Sequence, residues 1–208
     1  ETDPLRFHER FNELGANGEA HGEVMRFLEL ILFLNVMRYF VADDEAIKIL
    51  PSIAFVLDGP LAAFGQFAAI VPYVRSELKR INALCEEKTG RGILLFSLTK
   101  TGQFCEHFES LDFDRKGGPG ERFDNGAILL PDIKYIHRNI VFRPEEGKFW
   151  GQDTYFGRVV LYKSKSGQRM VVNTPQVCDV SQDLECTDEK AYARLASVLG
   201  VVDRLSTY

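Results

Sequence analysis

The chain has 208 residues, enough for one domain or one domain with an extension. It is 45% hydrophobic and 12% aromatic, which supplies a full core and excludes wholesale disorder. A formal charge of −5 argues against a surface that grips nucleic acid all round, but leaves room for a local basic groove. The four cysteines, Cys85, Cys105, Cys178 and Cys186, form no CxxC pair, so neither a zinc signature nor a dense disulfide framework is present. Free thiols in a reducing cytoplasm fit best; a Cys178–Cys186 bridge is the less favoured alternative.

The chain opens on Glu1-Thr-Asp-Pro4, without Met and without a basic, then apolar, signal segment, and reads as an interior start. Glu19 to Phe40 predicts a long helix, with Val24, Phe27, Leu28, Ile31, Leu34 and Met37 at helical spacing. Further apolar residues spread round it, so it is expected to be covered by neighbours or a second subunit. Its greasiest part, residues 27–41, carries Glu29, Asn35 and Arg38 and is too short and polar to span a bilayer. Asp43-Asp44-Glu45 reads as a cap and acidic first turn for a short helix ending near Leu50. Residues 1–50 thus form a helical arm, separated by Pro51 from a core over 51–208.

Ile53 to Leu57 is an apolar run that meets Asp58 and turns at Gly59-Pro60, a buried strand ending on a carboxylate. Such a carboxylate must reach a rim or a cation; on this stretch alone the leading explanation is a plain turn residue before glycine. Leu61 to Phe64 is expected to continue as a strand, Gln66 to Lys88 as a helix, and Ile93 to Leu98 as the clearest strand after the first. Thr99-Lys-Thr-Gly102 turns into a helix over Gln103 to Ser110; its amides and Lys100 could hold an anion, though the P-loop spacing is missing. The glycine- and charge-rich stretch Asp112 to Asn125 reads as an exposed loop, and Asp132 to Asn139 as a helix entered through Pro131. Phe149 to Tyr162 and Gln168 to Thr174 predict a hairpin turning at Ser164-Lys-Ser-Gly167. Val177 to Asp188 reads as polar loop, and Lys190 to Leu205 as a closing helix. The sum is a mixed α/β domain.

Three carboxylates stand out by position: Asp58, Glu106 and Asp132. Hydrolysis of a phosphodiester by two hard cations needs such oxygen donors gathered in one place. Against this, Asp132 suits the first turn of a helix without any metal, and Glu106 suits a solvated helix face. Basic residues fall in two sets. Lys134, His137, Arg138 and Arg143 form one; Arg158, Lys163, Lys165 and Arg169, with Tyr155 and Tyr162, form the other. Cations beside aromatics suit a single nucleic-acid strand, and charge on a hairpin edge equally protects it from pairing. No H-E-x-x-H pair and no G-x-S-x-G elbow appears.

In order, the blocks Val56-Leu-Asp-Gly-Pro-Leu-Ala-Ala-Phe-Gly65, Ile93 to Phe104, Leu129-Leu-Pro-Asp-Ile-Lys-Tyr-Ile136 and Tyr155-Phe-Gly-Arg-Val-Val-Leu-Tyr162 resemble the NurA nuclease family over residues 50–175. The resemblance implies a ribonuclease H-like mixed sheet flanked by helices, and Mn²⁺-dependent (or Mg²⁺-dependent) cleavage of DNA. It also implies a homodimer docked on a hexameric HerA-type ATPase, acting in DNA-end processing or antiphage defence. Asp58 would be the first-strand metal ligand, Asp132 a later one and Glu106 the intervening acid. Lys100, Lys134, Arg138, Arg158 and Lys163 would contact DNA. The family also uses a late histidine, and none follows His137 here. Either the chain is a fragment truncated at its C-terminus, or it is a catalytically impaired scaffold that dimerises and docks the ATPase.

Overall fold

The computed structural model describes residues 18–114, 120–141, 151–177 and 191–206. All of the expected Val177 to Asp188 loop but its first residue, the Cys178–Cys186 alternative, Arg143 and the start of the first hairpin strand lie outside them.

A 24-residue helix α1 (Gly18–Val41) leads into a short α2 (Ala46–Ile49). Asp43 launches α2 as expected: its carboxylate accepts the Glu45 and Ala46 N–H groups at 2.9 and 2.7 Å. A 3₁₀ turn over Leu50–Ser52, holding Pro51, delivers the chain to β1 (Ala54–Asp58). Helix α3 (Val71–Thr89) then crosses over to β2 (Leu94–Thr99), which pairs with β1 in parallel, Ala54 opposite Leu94 and Asp58 opposite Leu98. This is a βαβ unit. The buried residues of α3, Val71, Val74, Leu78, Ile81 and Cys85, recur every three or four positions, and Gly90 stops it in the left-handed conformation at φ 72°.

The second half is antiparallel. Helix α4 (Gln103–Asp112), the two-residue strands β3 (Phe113–Asp114), β4 (Gly120–Glu121) and β5 (Ile128–Leu129), and helix α5 (Ile133–Asn139) precede the hairpin β6 (Gly157–Lys163) and β7 (Arg169–Pro175). Helix α6 (Leu195–Leu205) closes the described chain. The main sheet runs β1-β2-β7-β6-β5, and β3 pairs with β4 as a separate ribbon. The expected α/β class with a mixed sheet flanked by helices is therefore present.

Alternation along the strands assigns the two faces. Phe55, Leu57 and Leu95 meet α1 and α3 in one cluster, with Leu34, Met37, Val74, Leu78 and Ile81. On the same side, farther along the sheet, Val159, Leu161 and Val171 meet Phe104 and Phe108 of α4 and Ile136 of α5. The opposite side packs Leu94, Phe96, Val160 and Val172 against Leu195, Val198, Leu199 and Val202 of α6. Phe96 is fully buried, so truncating it to Ala would cost about 3–5 kcal/mol. Helix α1 buries Leu30, Phe33, Leu34 and Met37, while Met25, Leu28 and Leu32 stay more than half exposed. No helix of the described residues is long and apolar enough to cross a membrane.

Two expectations change. Leu61 to Phe64 is not a strand. It makes one isolated bridge, Ala62 with Tyr155, and Leu61 accepts the N–H groups of Phe156 and Gly157. The backbones approach so closely there that a Cβ on Gly157 would sit 2.5 Å from the Leu61 Cβ. Pro60 before it and Gly65 (φ 61°) after it keep the segment from laddering further.

The glycine-rich stretch from Asp112, the last residue of α4, is not simply an exposed loop either. Its first residue, Asp112, is fully buried. The Asp112 carboxylate lies 3.0 Å from Lys163 Nζ and 2.7 Å from Arg169 Nε, and accepts the Phe123 N–H at 2.8 Å. Lys163 also donates to the Phe123 carbonyl at 2.7 Å. Lys163 and Arg169 face each other across the hairpin, where like charges would repel; Asp112 removes that conflict and ties α4 to β6 and β7. Burial pushes the Asp112 carboxyl upward, but the Phe123 N–H, Lys163 and Arg169 together hold it below the ordinary carboxylate range.

Breaking a buried pair by removing one partner strands the other charge. Lys163→Met is therefore expected to destabilise the fold by about 3–5 kcal/mol, measured by urea unfolding at neutral pH. Because the folded pKa of Asp112 is depressed, its contribution is present above pH about 4 and is lost as pH falls through the folded value. Asp112→Asn should flatten the acid limb of the stability profile.

Candidate functional site at the carboxyl ends of β1 and β2

Parallel strands put their carboxyl ends on one edge, where open α/β sheets bind ligands. Here the Gly59 N–H donates to the Leu98 carbonyl at 2.9 Å, which extends the β1–β2 ladder past Asp58. Gly59 (φ 79°) then turns the chain away. Asp58 is exposed at this rim, and its carboxylate sits 2.9 Å from Lys100 Nζ. The Lys100 hydrogen bond and charge hold Asp58 below the ordinary carboxylate range. Both side chains are at least 74% exposed, so the pair adds little to stability. Arg26 and Glu23 of α1 line the adjacent cleft with Asp58.

The other two acids lie elsewhere. Asp58 alternates with the exposed Ala54 and Val56 and stands opposite Leu98, which packs toward α6. Helices α4 and α5 pack on the other face, through Phe104, Phe108 and Ile136. Glu106 is exposed on α4. Asp132 caps α5, accepting the Tyr135 N–H at 2.6 Å, so the helix-start role accounts for it. A hard divalent ion needs several oxygen donors together. Among the described residues no three His, Cys, Asp or Glu side chains come close enough to hold one. Asp58, Glu106 and Asp132 as placed therefore do not make the two-ion set.

The expected cations divide in the same way. Lys100, Lys134 and Arg138 are exposed, the last two one turn apart on α5. Lys163 and Arg158 are corrections. Lys163 is fully buried in the Asp112 cluster. Arg158 is 7% exposed, with its guanidinium 4.3 Å over the Tyr192 ring centroid. Residues 157–163 are buried at every position, because β6 is an interior strand covered on both faces. A hairpin edge decorated with charge was the wrong picture for these two.

One polar residue escaped the sequence reading. Asn173 sits in β7 directly opposite Ser97 of β2 and Val159 of β6, and is 1% exposed. Its amide nitrogen donates to the Thr99 hydroxyl at 3.2 Å, and its Oδ1 has no partner among the described residues. The signal was available: Asn is depleted in strands, and here it interrupts Met170-Val-Val.

Replacing Lys100 by Ala should move the Asp58 carboxyl back up toward the ordinary range, read by NMR titration, and leave the thermal midpoint unchanged. An unmoved Asp58 titration would show that the pair does not persist in solution. No family model, no curated protein and no solved structure matches this chain.

Proposed function

We propose that the chain is a DNA nuclease domain of the NurA type, hydrolysing phosphodiester bonds beside a HerA-type translocating ATPase. The reading includes a ribonuclease H-like core, a homodimer and dependence on Mn²⁺ or Mg²⁺. The observation that carries it is Asp58: an exposed carboxylate at the carboxyl end of the first strand, beside Lys100, within the block Val56 to Gly65 that resembles the family. In this role Lys100 draws the scissile phosphate to the rim, and Asp58 is the acid nearest the reacting bond. Lys134 and Arg138, exposed on α5, add sequence-independent attraction to the phosphate backbone. Because the described acids do not gather round an ion, no step is assigned to a metal.

That same dispersal favours a second reading, a nuclease-like scaffold that dimerises and docks the motor without cutting. The incompletely covered apolar surface of α1 at Met25, Leu28 and Leu32 agrees with a docking role.

Incubation of linear DNA with the protein and Mn²⁺, against an EDTA control, separates the two. Nuclease action predicts metal-dependent cleavage that Asp58→Ala reduces at least about 100-fold, the scale of loss for a positioned catalytic group. Equal cleavage by both proteins removes Asp58 from the chemistry. No cleavage by the full-length chain, alone or with its ATPase, leaves the scaffold.

A further inference from the structure

We propose that the outer side of α1 is the seam on which a second copy of this chain docks, the two α1 helices running antiparallel about a two-fold axis at Leu32; this rests on the homodimer of the reading above and gives it a surface. Helix α1 is apolar on two opposite sides. Leu30, Phe33, Leu34 and Met37 face the core. Met25, Leu28, Leu32, Val36 and Tyr39 lie on the far side, with exposure from 40% at Val36 to 74% at Tyr39. The charged side chains of residues 22–41 stand elsewhere. Glu23, Arg26 and Glu29 line the cleft beside Asp58, and Arg38 lies 3.2 Å from Glu77 of α3. A helix side turned to water ordinarily carries charge, and a helix apolar all round is a covered one.

The spacing names the occupant. The stripe advances in steps of 3, 4, 4 and 3 residues, an average of 3.5, the period at which one α-helix packs along another. Those steps also read the same from either end. A two-fold interface needs that symmetry, because residue i meets j wherever j meets i. With Leu32 on the axis it meets its own copy, Leu28 meets the partner's Val36, and Met25 meets the partner's Tyr39. The same register carries His21 and the start of α1 toward the partner's Asp43 and the partner's Asp44, where acids suit the positive end of a helix dipole. A lipid surface fits less well: a helix lying on a membrane carries Lys or Arg on its polar face, whereas Glu29 and Asn35 border this stripe. From Met25 to Tyr39 the seam runs about 21 Å. One helix pair of that length sits at the low end of specific interfaces, so the dimer is expected to dissociate in the micromolar range.

The test is sedimentation of the full chain, without DNA or metal, from about 1 to 100 µM. A monomer–dimer equilibrium is expected. Leu32→Glu, at an exposed site, should leave the circular dichroism spectrum unchanged and weaken the dimer at least about 100-fold, since two leucines leave the seam and two carboxylates meet on the axis. A chain carrying Met25→Glu and Tyr39→Lys should still dimerise, because opposite charges meet across an antiparallel pair. One carrying Met25→Glu and Tyr39→Glu should not, because like charges meet in either orientation. That second chain serves if Leu32→Glu fails to fold.

A wild-type monomer at every concentration would overturn the seam and the homodimer together, leaving the stripe to residues 1–17 or to a different protein, while the role of Asp58 still turned on DNA cleavage. A dimer that Leu32→Glu and the doubly acidic chain leave intact would overturn the seam and keep the homodimer on another face. Loss of the dimer in the Met25→Glu, Tyr39→Lys chain would overturn the antiparallel register.

Discussion

Everything in this fold passes through β2. It pairs in parallel with β1 on one side and antiparallel with β7 on the other. It is thus the joint between a βαβ half, built by local crossover through α3, and a meander half that arrives more than seventy residues later. Ile93 to Ser97 are buried without a break, because one face of β2 is covered by α1 and α3 and the other by α6. A strand buried on both faces must be apolar along its whole length and must satisfy its backbone in the ladder. Register is then fixed, since a one-residue slip would send Leu95 and Phe96 to each other's faces.

That register has chemical consequences. It sets Ser97 against Asn173 and leaves polar groups at the seam between the α3 side of the core and the α4 side. Apolar residues at those positions would pack more cheaply. The pair is held there by the register, and both Ser97 Oγ and Asn173 Oδ1 stay buried without a partner among the described residues. The Asp112–Lys163–Arg169 cluster is the opposite case. Its charges pair with one another and with Phe123, so it locks α4 against the hairpin.

At the sheet edge, local geometry and global geometry pull apart. Locally, Asp58 ends the sheet's edge strand, whose residues are exposed or half-buried rather than buried as the apolar run suggested, and there it faces water and meets a cation. Globally, strand parity aligns Asp58 with Leu98 on the α6 side, but at the rim it also borders the cleft with Glu23 and Arg26 of α1, while α4 and α5 pack farther along the opposite face. The nuclease proposal therefore stands on Asp58 and its surroundings, and the scaffold reading draws its strength from Glu106 and Asp132.

The sequence by itself determined the local elements, because period and punctuation are local physics. Apolar spacing marked α1 and α3, Gly59 marked a stop, Asp43 and Asp132 marked helix starts, and Ser164 to Gly167 marked a hairpin. It also isolated Asp58 and Lys100, neighbours because parallel strands end together. Only the tertiary structure decided which charges face solvent. Lys163 and Arg158 read like a basic edge, yet β6 became an interior strand when β5 paired beside it and α6 covered it. Asp112 read like loop and became a buried anchor, since its partners come from residues 123, 163 and 169. Burial, pairing and the face a side chain takes are long-range quantities, and no window of neighbouring residues contains them.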